Sequence, residues 1–311
     1  MAEKKKSRFS WLWKMLLVLL LALVAATYWF FYDNRAPSEG SFALDIAAIR
    51  AEADHIPGEK PSQIEVETPW HNRVPEIAML AGAGWGNIDL SGASYRLVLP
   101  GGAIIIDAAF DPESAKKMGI SDFDDAAWKR LLRAMDEAAQ IVITHEHSDH
   151  IGGLMTNANV KALVAKTRLN AAQIALPNYT NKMSWPSGAL DRFKPTVYDS
   201  LLAIAPGVVL IKAKGHTPGS QMIYVQRADG QEYLFMGDVA SLADNVKQQR
   251  IRSRLITDLM TFEDRDAVFL QTKALLKLSQ DQPDIVMVPG HDTAAVEAFV
   301  KSGLITRGFG E

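Results

Sequence analysis

His145, Glu146, His147, Ser148, Asp149 and His150 follow the apolar run 141–143 after a single residue, Thr144. A short apolar run bounded by polar residues reads as a buried strand, so the cluster is presented at a strand end. The chain has seven histidines, and three of them are here. His145 and His147, two apart just beyond a strand, can point the same way. The chain has no cysteine, so this is a set of nitrogen and oxygen donors, which suits zinc, iron or manganese. Four potential ligands in six residues are too many for one tetrahedral ion that must also keep a water. Two ions, or one ion completed by distant ligands, fit better.

Three later segments repeat the arrangement. The strand candidates 208–212, 233–236 and 285–288 are followed by His216 in Gly215-His216-Thr217-Pro218-Gly219, by Asp238 after Gly237, and by His291 between Gly290 and Asp292. Each time an apolar strand ends, a glycine permits a close turn, and a histidine or aspartate is presented. Core packing does not explain that repetition. Asp107, at the end of the run 104–106, is a candidate partner for the second nitrogen of a ligand histidine. His55 and His71 lack this context and read as ordinary polar residues.

The rest of the pattern is mixed. Residues 95–99 and 103–107 around Pro100, Gly101 and Gly102 predict a hairpin. Residues 125–138 predict an amphipathic helix, 161–165 a short strand, 167–176 a helix, and 267–278 and 294–300 further helices. Residues 177–198, with Tyr179, Trp185 and Phe193, form a long loop of the kind that carries specificity. Hairpins followed by alternating strands and helices predict a layered α/β fold. A net charge of −3 gives no footprint for nucleic acid.

The N-terminus departs from this globular pattern. Lys4, Lys5, Lys6 and Arg8 precede residues 15–32, which carry no charge. At helical rise that run spans about 27 Å, close to the roughly 30 Å hydrocarbon core. Trp11 and Trp13 flank one end and Tyr28, Trp29, Phe30, Phe31 and Tyr32 the other, as aromatic belts do. The expectation is a cytosolic basic segment (1–14), a transmembrane signal anchor (15–32), a tether (33–73) and a globular domain (74–311). The positive-inside rule puts that domain on the non-cytosolic side, periplasmic in a bacterium. The competing reading is a signal peptide cut after Val24 and Ala26. It would leave a mature chain starting on exposed aromatics.

With these residues in view, the chain resembles the metallo-β-lactamase superfamily. The resemblance rests on the His145-x-His147-x-Asp149-His150 motif, His216 in its His-Thr-Pro-Gly element, Asp238 after Gly237 and His291 in Gly-His-Asp. It covers roughly residues 75–300. It implies a four-layer αβ/βα sandwich with a dinuclear site, two Zn²⁺ or alternatively iron or manganese. His145, His147 and His216 would hold the first metal, Asp149, His150 and His291 the second, and Asp238 would bridge them. A metal-bridging hydroxide would then cleave an ester, lactone or related acyl bond of a small-molecule substrate. Asp149 would be the catalytic residue that orients the nucleophile and moves its proton.

Within the superfamily, lactamases that need a cysteine ligand are excluded, and the cysteine-free ones lack the bridging aspartate. Acyl-homoserine-lactone lactonases match the ligands, yet they carry a tyrosine where this chain has Ser241. Hydroxyacylglutathione hydrolases add basic residues; Lys247, Arg250, Arg252 and Arg254 are available but read more simply as a solvated face. A thioesterase, a mononuclear iron dioxygenase and a binding or sensory protein with a decayed site are the remaining readings. The complete ligand set argues against the last.

Overall fold

The computed structural model describes residues 2–175 and 183–310. Tyr179 lies outside the described residues. Two sheets form the body. The first contains β1 (Gln63–Pro75), β2 (Asn87–Val98), β3 (Ile104–Ile106), β4 (Asp122–Phe123), β5 (Gln140–Val142), β6 (Thr167–Arg168) and the last strand of the chain, β12 (Thr306–Arg307). Its order is β12-β1-β2-β3-β5-β6, with β4 paired to β1. The second contains β7 (Leu201–Ala205), β8 (Val208–Lys212), β9 (Gln221–Gln226), β10 (Glu232–Phe235) and β11 (Val286–Val288), in the order β11-β10-β9-β8-β7.

Side-chain alternation along the strands produces the layers. Ile104 and Ile106 point into a core shared with Leu210, Val225 and Phe235 of the other sheet, so this core lies between the sheets. Ile105 points the other way, onto Leu131 and Met135 of the helix Asp125–Glu137. In the second sheet Val208 and Leu210 face inward, while Val209 and Ile211 face Ile49 and Leu275 of two covering helices. Helix, sheet, sheet and helix therefore stack in four layers, a mixed α/β fold as expected.

Strand direction then fixes where the loops converge. β3 and β5 are parallel, so Asp107 and the 145–150 cluster leave the same end of the first sheet. β8 is antiparallel to β9, and β9 to β10, while β10 and β11 are parallel. The chain beyond β8, β10 and β11, which carries His216, Asp238 and His291, therefore leaves one end of the second sheet.

Three expectations need correction. Residues 33–73 are not simply a tether, because β1 begins at Gln63 and is buried from Ile64 to Trp70. Pro61 and Pro69 are strand breakers by type, but Pro69 falls where the β1–β2 register shifts between Glu67 and Trp70, a position at which proline costs no ladder bond. Upstream, the helix Ile46–Ala53 is capped by Asp45, which accepts from the amides of Ala47 and Ala48. Asp33, 1% exposed, pairs with Arg254 at 2.6 Å.

Residues 161–165 form not a strand but part of the helix Val160–Ala165. Val160, Leu163 and Val164 are its buried positions, and that i, i+3, i+4 spacing is helical. The helix expected over 167–176 starts instead with β6, which pairs with β5, and among the described residues of that range only Ala171–Ala175 is helical.

The N-terminal helix Ala2–Thr27 continues into a π turn, Tyr28–Tyr32. Its stretch Ser10–Tyr32 is long and apolar enough to cross a membrane, and its most apolar window has no buried residue.

Candidate metal centre

The cluster 145–150 is a tight turn running into the helix Ser148–Thr156, with His147 at the N-cap position. The other ligand candidates are delivered by glycine turns. Gly237 adopts φ +50°, a left-handed conformation that favours glycine. At Gly290 a Cβ would lie 2.3 Å from Asp238 Oδ1, so only glycine lets the His291 turn pass this closely.

All seven candidates come together. His147 Nδ1 lies 3.1 Å from His145 Nε2 and 3.0 Å from His216 Nε2. His150 Nε2 lies 3.2 Å from His291 Nε2, and Asp149 Oδ2 is 3.3 Å from the same His291 nitrogen. Asp238 stands between the two groups. Its Oδ1 is 3.1 Å from His291 Nε2 and its Oδ2 is 3.5 Å from His216 Nε2. Three overlapping sets, His145/His147/His216, His145/Asp149/His150 and His150/Asp238/His291, each gather donor atoms within 4.8 Å.

The electrostatics suit a cation. Burial, reinforced by neighbouring imidazoles, holds His145 well below the usual histidine pKa and His147 down at about 3. Both are therefore neutral, the form that offers a lone pair. Burial opposes ionisation of Asp149 and Asp238, but His150 and His291 outweigh it for Asp149, and His291, Arg252 and His216 for Asp238. Both carboxylates stay charged. Burial likewise opposes protonation of His291 and His150, yet Asp238 and Asp149 raise the first and Asp149 and Asp107 the second. The place where these carboxylates hold a proton is a place where they would hold a metal ion. Asp238 Oδ1 and His216 Nδ1 are buried and make no well-aligned hydrogen bond, only ion-pair contacts with His291 Nε2 at 3.1 Å and Glu263 Oε1 at 3.5 Å, and a buried polar atom so incompletely satisfied costs free energy. Five imidazoles, two carboxylates and no sulfur fit hard to borderline divalent ions such as zinc, iron or manganese.

A shell of partners orients the ligands. Asp107, itself at φ +62°, accepts from the Thr144 amide at 2.7 Å and the Thr144 hydroxyl at 2.8 Å, and its Oδ2 lies 2.8 Å from His150 Nδ1. His291 Nδ1 is 3.0 Å from the Ser91 carbonyl. Glu146, whose carboxyl burial pushes upward in pKa, accepts from the Thr217 hydroxyl at 2.8 Å and the Gly219 amide at 3.0 Å, tying the first motif to the His216 turn. Arg252 is 2% exposed rather than part of a solvated face. It donates to the Asp238 carbonyl, and its guanidinium lies 3.3 Å from both Asp238 Oδ2 and Glu263 Oε2. Glu263 Oε1 in turn lies 3.5 Å from His216 Nδ1. Sequence reasoning missed Glu263 and gave Arg252 no role.

A scan of family models matches residues 88–291 to the metallo-beta-lactamase superfamily. The chain belongs to that superfamily. Among curated members of the superfamily, the N-acyl homoserine lactonase of Bacillus thuringiensis is 24% identical over 121 residues, 39% of this chain and 46% of that protein. The chain thus matches just under half the length of that relative. A lactonase from Bacillus sp is 24% identical over 179 residues, 52% of this chain and 69% of the relative. Among solved structures, an N-acyl homoserine lactone hydrolase with N-hexanoyl-L-homoserine bound at its catalytic metal centre superposes with a TM-score of 0.61 at 16% identity. That superposition covers 77% of this chain and 96% of the other. A probable metal-dependent hydrolase from Staphylococcus aureus gives 0.56 at 14% identity, covering 75% and 91%. These likenesses show the metallo-beta-lactamase fold.

The cavity beside the ligands, about 210 Å³, is walled by Trp70, Leu90, Phe110, Met118, Ile256 and Met260 among others, and by Asp149, Asp238 and His291. Trp185 and Phe193 of the loop 177–198 do not line this cavity and pack against the core outside the first sheet. Ser241 is fully buried and donates to Asp238 Oδ2 at 3.2 Å. The substitution for tyrosine thus leaves a residue that orients the carboxylate rather than one that lines the cavity.

Proposed function

We propose that this protein is a membrane-anchored, metal-dependent hydrolase that cleaves a lactone, ester or related acyl bond with two divalent ions, zinc foremost. The observation that carries this reading is Asp238, whose two carboxylate oxygens face separate histidine groups at 3.1 and 3.5 Å. His145, His147 and His216 would hold one ion, Asp149, His150 and His291 the other, and Asp238 both. Ions bound there would acidify a water and take up negative charge from the substrate carbonyl oxygen.

The chain's own groups do the rest. Asp149 borders the cavity and is ionised at neutral pH, so its carboxylate can accept the proton of the attacking water and return it to the leaving oxygen. Ser241 and Arg252 fix the rotamer of Asp238. Trp70, with its ring 5.3 Å from that of His291, and the apolar wall keep bulk water from the site. The lactonase names of the relatives support a lactone as the first substrate to try. The span Ser10–Tyr32 supports an anchor, with residues from about 33 onward as one body on the non-cytosolic side.

The test is the full chain in detergent assayed on lactones, aryl esters, thioesters, β-lactams and phosphoesters. Metal-dependent turnover of a lactone or ester is expected. Turnover confined to phosphoesters or dependent on oxygen would replace the acyl reading.

A further inference from the structure

The wall of the metal cavity and the exit of the N-terminal helix are built on the same few residues. The helical turn Arg254–Ile256 packs against the π turn Tyr28–Tyr32. Its Arg254 guanidinium sits 4.1 Å over the Trp29 ring, and its Ile256 lines the cavity. A second π turn, Thr257–Thr261, follows at once and gives the cavity Met260 and Thr261. On the other flank, Met79 lines the cavity, and the chain just after it receives the helix end. The Gly82 amide donates to the Phe31 carbonyl at 2.8 Å, the Trp85 ring lies 5.0 Å from Phe31, and the Trp85 indole donates to the Tyr32 hydroxyl at 3.2 Å.

The exposed apolar side chains follow the same distribution. Beyond the N-terminal helix, the large ones exposed among the described residues are Trp85, Met118, Val197, Leu259, Met260 and Phe262. All except Val197 belong to segments that line the cavity or hold the helix end. Contiguous exposed apolar surface on a folded protein marks a contact site.

We propose that the mouth of the metal cavity lies at the bilayer surface, with Trp85, Leu259 and Met260 at headgroup depth, and that the site takes its acyl substrate from the lipid phase. The occupant of this face is fixed by continuity. Aromatics at the end of a span sit at the headgroup level, and the headgroup zone is roughly 5–8 Å deep on each side. Trp85 and the turn Arg254–Ile256, which contact Phe31 and Trp29, therefore share that depth, and Leu259 and Met260 lie on the π turn that continues directly from Ile256. Arg35, whose Nε pairs with Asp33 at 2.6 Å, is 67% exposed and 5.5 Å from the Trp29 ring, so the outer part of its guanidinium faces the same headgroup zone. The cavity itself, about 210 Å³, is below the range of about 300–1,000 Å³ usual for small-molecule sites. It holds a lactone or ester head, while a longer acyl chain must run out past Met260 and over Leu259, into lipid. The substrate class is thus an amphiphile partitioned in the membrane. The inference rests on the anchored hydrolase reading above.

Because the chain has no cysteine, single-cysteine variants of the full protein can carry a nitroxide without a background. Three are needed in phosphatidylcholine–phosphatidylglycerol vesicles: Leu20→Cys in the helix, Leu259→Cys, and Ala228→Cys. The last lies in the exposed turn between β9 and β10, at the end of the second sheet away from the metal ligands. Power-saturation depth measurement is expected to place the Leu20 label in the hydrocarbon, the Leu259 label at headgroup depth and the Ala228 label in water. A Leu259 label as water-accessible as that at Ala228, with Leu20 in lipid, overturns the inference alone. A Leu20 label in water overturns the anchor itself.

The substrate half is read with Leu259→Glu in the same vesicles. Hydrolysis of a dodecanoyl lactone is expected to fall by roughly tenfold, the equivalent of about 1.4 kcal/mol, while a butanoyl lactone is barely affected. Equal losses on both would overturn delivery from the lipid phase. No turnover of either by the unsubstituted protein would instead remove the hydrolase reading.

Discussion

Asp107 Oδ2 stands 2.8 Å from His150 Nδ1, and the same carboxylate takes the amide and hydroxyl of Thr144. One residue at the end of β3 thereby fixes the ring orientation of a ligand candidate and the backbone at the start of the whole 145–150 turn. Its left-handed φ of +62° is tolerated better by aspartate or asparagine than by most residues. Asp107→Asn keeps that backbone and the shape of the side chain but removes the charge. Metal affinity is expected to fall by about 10–100-fold with the thermal midpoint nearly unchanged. Unaltered affinity in a competitive chelator titration would show that His150 needs no such partner.

Arg252 joins two buried carboxylates, Asp238 and Glu263. Removing one member of a buried ion-pair set leaves uncompensated charge, at about 3–5 kcal/mol. Arg252→Met is expected to lose stability on that scale in denaturant titration of the metal-depleted protein. A loss below about 1 kcal/mol, typical of exposed pairs, would mean that the guanidinium is solvated.

Gly290 separates the His291 turn from Asp238. A Cβ there would meet Asp238 Oδ1 at 2.3 Å and the Gly237 carbonyl oxygen at 2.9 Å. Gly290→Ala is expected to cost about 1–3 kcal/mol and to weaken metal binding by displacing Asp238. Gly86→Ala, where a Cβ meets nothing within 4 Å, is the matched control. Equal metal affinity in the two variants would count against the close approach.

Arg50 carries the helix Ile46–Ala53 onto Glu232 of β10, with a contact of 2.6 Å. Burial opposes ionisation of Glu232, but hydrogen bonds from Arg50 and Tyr224 outweigh it and lower its pKa. A carboxylate whose folded pKa is depressed contributes stability above its unfolded value of about 4.5, and loses it as pH falls through the folded value. The stability difference between the native chain and Arg50→Met should therefore be full at neutral pH and shrink below about pH 4.5. A difference that is constant with pH would show that the arginine acts through packing alone.

The sheets and the convergence of the seven candidate ligands were legible because both rest on short-range patterns: apolar runs of strand length, and polar donors at their ends. Asp107 was legible for the same reason. What escaped had long-range causes. β1 was hidden because Pro69 breaks a strand everywhere except at a register shift, and the shift is set by β2. The helix Val160–Ala165 reads equally as a strand because five apolar or small residues around Lys161 satisfy either period until the buried face is known. Arg252 looked like one of a run of surface charges; its burial follows from Asp238 and Glu263, respectively 14 and 11 positions away, meeting on either side of it. The loop 177–198 reads as a carrier of specificity, but in the described residues the cavity wall comes from Trp70, Leu90, Phe110 and Met118 together with the segment 252–261, which the N-terminal helix end contacts.

The most direct test of the two-ion account is metal stoichiometry by mass spectrometry on the full chain, purified without chelator and compared with Asp238→Ala, with lactone hydrolysis measured on the same samples. The account predicts about two divalent ions per native chain, and a joint fall of metal content and turnover in the variant. Fewer than about one ion per native chain, or an unchanged stoichiometry in Asp238→Ala, would contradict it.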